Sequence, residues 1–99
     1  MSYTLEQVFL KLRGGQLELL LVFENIAGAR HRETLTYPTR NTIEAVRRTA
    51  KHLAYRGDVE RVKGLRLRRE ERGLLKDDSS LKRLFENEFE EYAGDEIWD

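Results

Sequence analysis

The side chains in this sequence best equipped for chemistry are guanidinium groups. Arginine outnumbers lysine 13 to 5, and a planar guanidinium pairs bidentately with phosphate or carboxylate where an ammonium offers a point charge. Their placement is uneven. Residues 1–27 carry two basic and three acidic residues, 28–76 fourteen and six, and 77–99 two and nine, so segments of −1, +8 and −7 sum to zero. A basic middle followed by an acidic end points to contact with a polyanion, moderated by the chain's own carboxylates. The expected nucleic-acid-binding set is Arg47, Arg48 and Lys51 on the outer side of a helix, with Arg66, Arg68 and Arg69 on a strand. Arg66 and Arg68 stand about 7 Å apart on its outward side. Tyr55 is the aromatic residue among them, so the phosphate backbone, DNA or RNA, is expected to be read and base stacking is not. Local pairing with Glu44, Glu60, Glu70 and Glu71 competes for the same charges.

Other chemistries find fewer residues. The chain has no cysteine, which removes disulfides, thiolate metal sites and cysteine nucleophiles. His31 and His52 fall on different expected elements with no partner at a ligand spacing, so no metal site is expected. Ser79 and Ser80 open a helix, where capping accounts for them better than nucleophilic catalysis does. Asp77 and Asp78 precede that helix, where its dipole favours negative charge and no third carboxylate stands near. Gly14-Gly15 lies between strands and cradles no phosphate. The most enzyme-like group is His31, Arg32, Glu33, Tyr37 and Arg40, whose types suit a metal-independent ribonuclease. Apolar Leu35 on the face shared by His31, Glu33 and Tyr37 fits a half-buried strand better. No enzymatic activity, cofactor or small-molecule substrate is expected.

The elements that must hold these side chains follow from pattern. Residues 3–12 and 16–26 read as strands joined at Gly14-Gly15, two residues free to take the positive φ angles of a tight hairpin turn. Pairing Arg13 with Gln16 sets Leu12 opposite Leu17, Leu10 opposite Leu19 and Val8 opposite Leu21, with Lys11 opposite Glu18 on the other face. That other face holds a second apolar patch, Leu5, Phe9, Leu20 and Val22, which needs a cover or a partner. Residues 31–37 form a third strand ended by Pro38. Asn41 to Glu44 has the form of a capping box, opening a helix that ends at Arg56 before Gly57, with Ile43, Val46, Ala50, Leu53 and Ala54 inward. Val59 to Arg69 is expected as a fourth strand, bulged near Gly64 so that Val62 and Leu65 both point inward. A last helix spans about Ser80 to Ala93, with Leu81, Leu84, Phe85, Phe89 and Tyr92 on one stripe.

The fold expected is therefore α+β: a small antiparallel sheet, a three-stranded meander plus a fourth strand, with two helices in the order βββαβα. With 39% apolar and 36% charged residues, the chain can bury a core beneath a charged surface. Residues 1–94 make one domain, and 95–99 form an acidic tail in which Ile97 and Trp98 are expected to be covered, either by folding back on the second hairpin face or by docking on a protein partner. The longest apolar run, Leu19 to Phe23, has five residues, against about 20 for a membrane helix. No membrane contact and a cytoplasmic location are expected. Two functions follow. One is a non-enzymatic accessory or regulatory protein on a nucleic-acid backbone. The alternative is a protein-interaction module, a homodimeric adaptor or an inhibitor of a larger machine, using Leu5, Phe9, Leu20, Val22, Ile97 and Trp98.

Overall fold

The computed structural model describes residues 2–93. The tail with Ile97 and Trp98 lies outside them. Strands β1 (Tyr3–Arg13) and β2 (Gln16–Asn25) pair antiparallel in the expected register, Leu12 with Leu17, Leu10 with Leu19, Val8 with Leu21 and Lys11 with Glu18. Gly14 and Gly15 sit at φ 56° and 80°, as a two-residue turn that follows the strand twist requires. The ladder slips once, between Leu5 and Gln7. Glu6 is the extra residue, and this bulge reverses the parity of the strand before it. Leu5 therefore lies opposite Phe23, and both are in the core. This corrects the expectation that Leu5 shares a face with Phe9, Leu20 and Val22.

Strand β3 (Arg30–Tyr37) completes the antiparallel meander beside β2. Helix α1 (Thr42–Arg56) starts at Asn41, whose side chain accepts from the Glu44 N–H (3.1 Å), and ends at Gly57 with φ 81°. Half of the capping box forms. The Asn41 N–H donates to Thr39 Oγ1 (3.0 Å), and Thr39 Oγ1 in turn donates to the Glu44 carboxylate (3.3 Å). The buried stripe of α1 is Ala45, Val46, Thr49, Ala50, Leu53 and Ala54; it begins after the first turn, so Ile43 is half exposed instead of inward.

The expected fourth strand is in fact two. β4 (Val59–Arg61) runs parallel to the start of β1 and β5 (Arg66–Glu71) parallel to its middle. A turn closed by the Leu65 N–H on the Val62 carbonyl (3.1 Å) joins them, with Gly64 at φ 84°. This turn replaces the expected bulge and still buries both Val62 and Leu65. A further strand with no counterpart among the expected elements, β6 (Leu74–Asp77), folds back on β5 through Arg72 and Gly73 at φ 52° and 81°. The sheet is thus mixed and six-stranded, in the order β3-β2-β1-β5-β6 with β4 also beside β1, and not a small antiparallel sheet. The parallel neighbours of β1 follow from the return of the chain through α1.

Helix α2 (Ser79–Ala93) is capped by Asp78, whose carboxylate accepts from the Leu81 N–H (2.9 Å). It contributes Leu81, Phe85 and Phe89 to the core, with Leu84 and Tyr92 half-buried at its margin. Both helices lie on the side of the sheet lined by Val8, Leu10, Leu19, Leu21 and Leu67. No described element covers the other side. Among the described residues no helix is long and apolar enough to cross a membrane.

Candidate nucleic-acid interface on the open sheet face

Alternation along each strand builds the uncovered face row by row. One row crosses the sheet as Thr34, Leu20, Phe9, Arg68 and Asp77, each paired with the next. The row beside it is Arg32, Val22, Gln7 and Arg66, and the row on the other side begins Thr36, Glu18, Lys11. Phe9 and Leu20 are half-buried and Val22 is 5% exposed. The Arg68 guanidinium stands 5.8 Å from the Phe9 ring centroid, within reach of a cation–π contact. The fold therefore brings together Arg66 and Arg68 with Phe9, Leu20 and Val22, residues that the sequence assigns to two different partners.

The remaining predicted basic residues lie elsewhere. Arg47, Arg48 and Lys51 are on α1, across the sheet, and each has an intramolecular partner there. Arg47 pairs with Glu88 (3.7 Å) and Arg48 with Glu44 (3.5 Å), while Arg48 also lies 4.8 Å over the Tyr37 ring. The Lys51 ammonium is 4.9 Å from the Tyr92 ring centroid and 6.0 Å from that of Tyr55. Arg69 follows the parity of Leu67 toward the helices and pairs with Asp78 (3.8 Å). The six do not form one patch. On the open face Arg66 and Arg68 share one Asp77 oxygen, at 3.2 and 3.6 Å. That carboxylate is 65% exposed, so each pair is worth about 0–1 kcal/mol and yields readily to an incoming anion.

Four further cations on or beside this face were not in the predicted set. Arg30 and Arg32 alternate outward on β3, and Arg61 and Lys63 flank the gap where β4 leaves β1 and β5 begins. Glu6, the bulged residue, lines a depression there. This depression comprises a hollow of about 340 Å³ lined by Glu6, Gln7, Lys63 and Arg66, and a second of about 240 Å³ lined by Glu24 and Arg61, with Thr4 common to both. A hydrogen bond with Glu24 pushes the Glu6 carboxyl above its ordinary value. Arg30 and Arg32 were legible once β3 was paired. Arg61 and Lys63 depend on long-range pairing with β1.

The enzyme-like residues part company. His31 Nε2 is 3.0 Å from Glu33, but Arg56 already grips that carboxylate with two nitrogens at 2.6 and 2.9 Å. The same guanidinium holds Asp58 at 3.0 and 2.8 Å. Its hydrogen bonds hold Glu33 and Asp58 below the ordinary carboxylate range, and they raise Arg56 in turn. A carboxylate so held is a poor general base. Tyr37 Oη accepts from the Thr49 hydroxyl (3.2 Å), and Arg40 lies beside Gly15. The arrangement is a clasp joining β3, the end of α1 and the start of β4. Among the described residues no three His, Asp or Glu side chains gather where they could hold one metal ion. Comparison of the chain with protein-family models, with curated proteins and with solved structures finds no match.

Proposed function

We propose that this protein is a non-enzymatic accessory module of the cytoplasm that binds single-stranded nucleic acid on the open face of its sheet. Arg32, Arg66 and Arg68 take phosphates, and a base lies against Phe9 and Leu20. The observation that carries this reading is the adjacency of Phe9 and Arg68 on a face that no described element covers. An aromatic ring offers any base a stacking surface worth about 1–3 kcal/mol, and flanking guanidiniums supply the electrostatic part. A duplex keeps its bases stacked on one another and offers none to such a surface, which favours a single strand. The carboxylates Glu86, Glu88, Glu90 and Glu91 of α2 stand on the other side of the sheet and repel polyanions from the helix layer.

Fluorescence anisotropy with labelled single-stranded RNA, single-stranded DNA and duplex at about 50 mM and 200 mM salt tests the reading. Three phosphate contacts predict a slope of about −2 in log K against log salt for single strands. Phe9→Ala weakens binding about tenfold, as loss of one stacking contact requires. Arg66→Glu with Arg68→Glu abolishes it. Absence of single-strand binding at about 50 mM salt overturns the proposal. The half-buried Phe9 and Leu20, which still present apolar surface, favour a second reading, a protein partner on this same face. A complex that Phe9→Asp disrupts, in a protein that binds no oligonucleotide, would select it.

A further inference from the structure

The two edges of the sheet differ. At one edge β6 has four residues and carries Lys76 paired with Glu71 (3.5 Å). At the other, β3 runs eight residues, and no described element pairs with its outer side. The Asn25 N–H donates to the Ala29 carbonyl (3.0 Å) at the turn that leads into β3. Antiparallel ladders alternate from such a pair, so His31, Glu33, Leu35 and Tyr37 bond to β2, and Arg30, Arg32, Thr34 and Thr36 direct their N–H and C=O groups away from the sheet. Such a row of unmet donors and acceptors is a template for another strand.

We propose that two copies of this chain join edge to edge through β3, antiparallel, with Thr34 on the two-fold axis, making one continuous sheet. The strand's own charges select this occupant and this register. Because residues directly opposite must share a face, the neighbouring registers on one side place Glu33 against Glu33 or Arg32 against Arg32, which like charges oppose, and the neighbour on the other side places Leu35 against Leu35 and sets Arg32 opposite Pro38, which shortens the paired stretch to residues 33–37. With Thr34 facing Thr34, Arg32 meets Thr36, Glu33 meets Leu35 and His31 meets Tyr37. No like charges oppose, and the half-buried Leu35 and Tyr37 gain cover from the second copy. The charged residues that guard an edge against indiscriminate pairing thus leave the Thr34 register open, and among the registers without opposed like charges it pairs the longest stretch, residues 31–37. A two-fold axis perpendicular to the sheet leaves both open faces on one side, side by side. An edge contact of this kind falls below about 1,200 Å² of buried surface, so the dimer forms in the micromolar to millimolar range.

Sedimentation equilibrium from about 10 µM to 1 mM reads the association, a range matched to weak contacts. The wild type shifts from monomer to dimer across it. Thr34→Lys, on an exposed side chain, places like charges across the axis and weakens the dimer at least about tenfold. Thr34→Glu does the same, and an equimolar mixture of the two restores a heterodimer. Thermal unfolding at low concentration, unchanged in both variants, shows that the fold persists. Phe9→Asp leaves this dimer intact, which separates it from any contact through the open face. A wild type that stays monomeric at 1 mM overturns the proposal, as does a Thr34→Lys variant that dimerises like the wild type.

Discussion

Arg56 shows how much one side chain can hold. It bridges Glu33 and Asp58 through four nitrogen–oxygen contacts of 2.6–3.0 Å and lies 5.6 Å over the Phe23 ring. With Glu33 and Asp58 only 25% and 33% exposed, removing the cation leaves two partly buried carboxylates without their guanidinium. Breaking a fully buried pair costs about 3–5 kcal/mol, and solvent screening here reduces that to about 1–3 kcal/mol for Arg56→Ala, measured by urea unfolding at pH 7. The pH dependence has a definite sign. Both carboxyls are depressed in the folded state. Their stabilisation is therefore present above the ordinary carboxylate range near pH 4, and it is lost as pH falls through the depressed values. Wild-type stability should hold from pH 7 to about 5 and decline below about 4. The Arg56→Ala variant, already lacking this contribution, should show a smaller decline from these two groups, and a gap between the two proteins that failed to narrow in acid would contradict the clasp.

At the scale of elements, parity decides which residues meet, and a single extra residue resets it. Leu5 and Phe9 share one face of an ideal strand, but the bulge at Glu6 sends Leu5 into the core at 1% exposed and leaves Phe9 on the open face. The two should answer differently to truncation. Leu5→Ala should cost about 2–5 kcal/mol in urea unfolding, as a buried leucine does, and Phe9→Ala less than about 2 kcal/mol, since its ring is only half-buried. Equal costs would mean that the bulge is not where the ladder puts it. What the sequence made legible was local. Gly14-Gly15 fixed the β1–β2 register, Asn41 and Gly57 bounded α1, and the stripe from Leu81 to Phe89 marked α2. The β1–β5 pairing was not legible, because Phe9 and Arg68 meet only after the whole meander and α1 have formed, and no short-range pattern encodes that contact. Without it Phe9 looked like part of a bare apolar patch and Arg68 like part of a basic stripe. β6 was missed because Arg72-Gly73 lacks the Asn-Gly or Asp-Gly signature of the turn it makes.

For the molecule as a whole, the charges that look contiguous in sequence are divided between two sides of a body whose smallest extent is 21 Å. That thickness sets how far the sides can act on one ligand. Charges are screened over about 10 Å at 0.1 M salt and about 30 Å at 0.01 M. A strand bound on the open face should therefore not sense Arg47 and Arg48 at 0.1 M salt, although those residues belong to the same basic stretch as Arg66 and Arg68. Arg47→Gln with Arg48→Gln should change single-strand affinity less than about twofold at 0.1 M, where screening is complete across the body, and weaken it several-fold at 0.01 M. Arg66→Gln with Arg68→Gln removes direct phosphate contacts, so it should weaken binding at both salts and make the salt slope shallower by about 1.4. Titration of the two double variants against one labelled strand at both salt concentrations makes the comparison. Equal losses at 0.1 M would show that the strand wraps onto the helix layer, and the open face would then lose its standing as the whole of the interface.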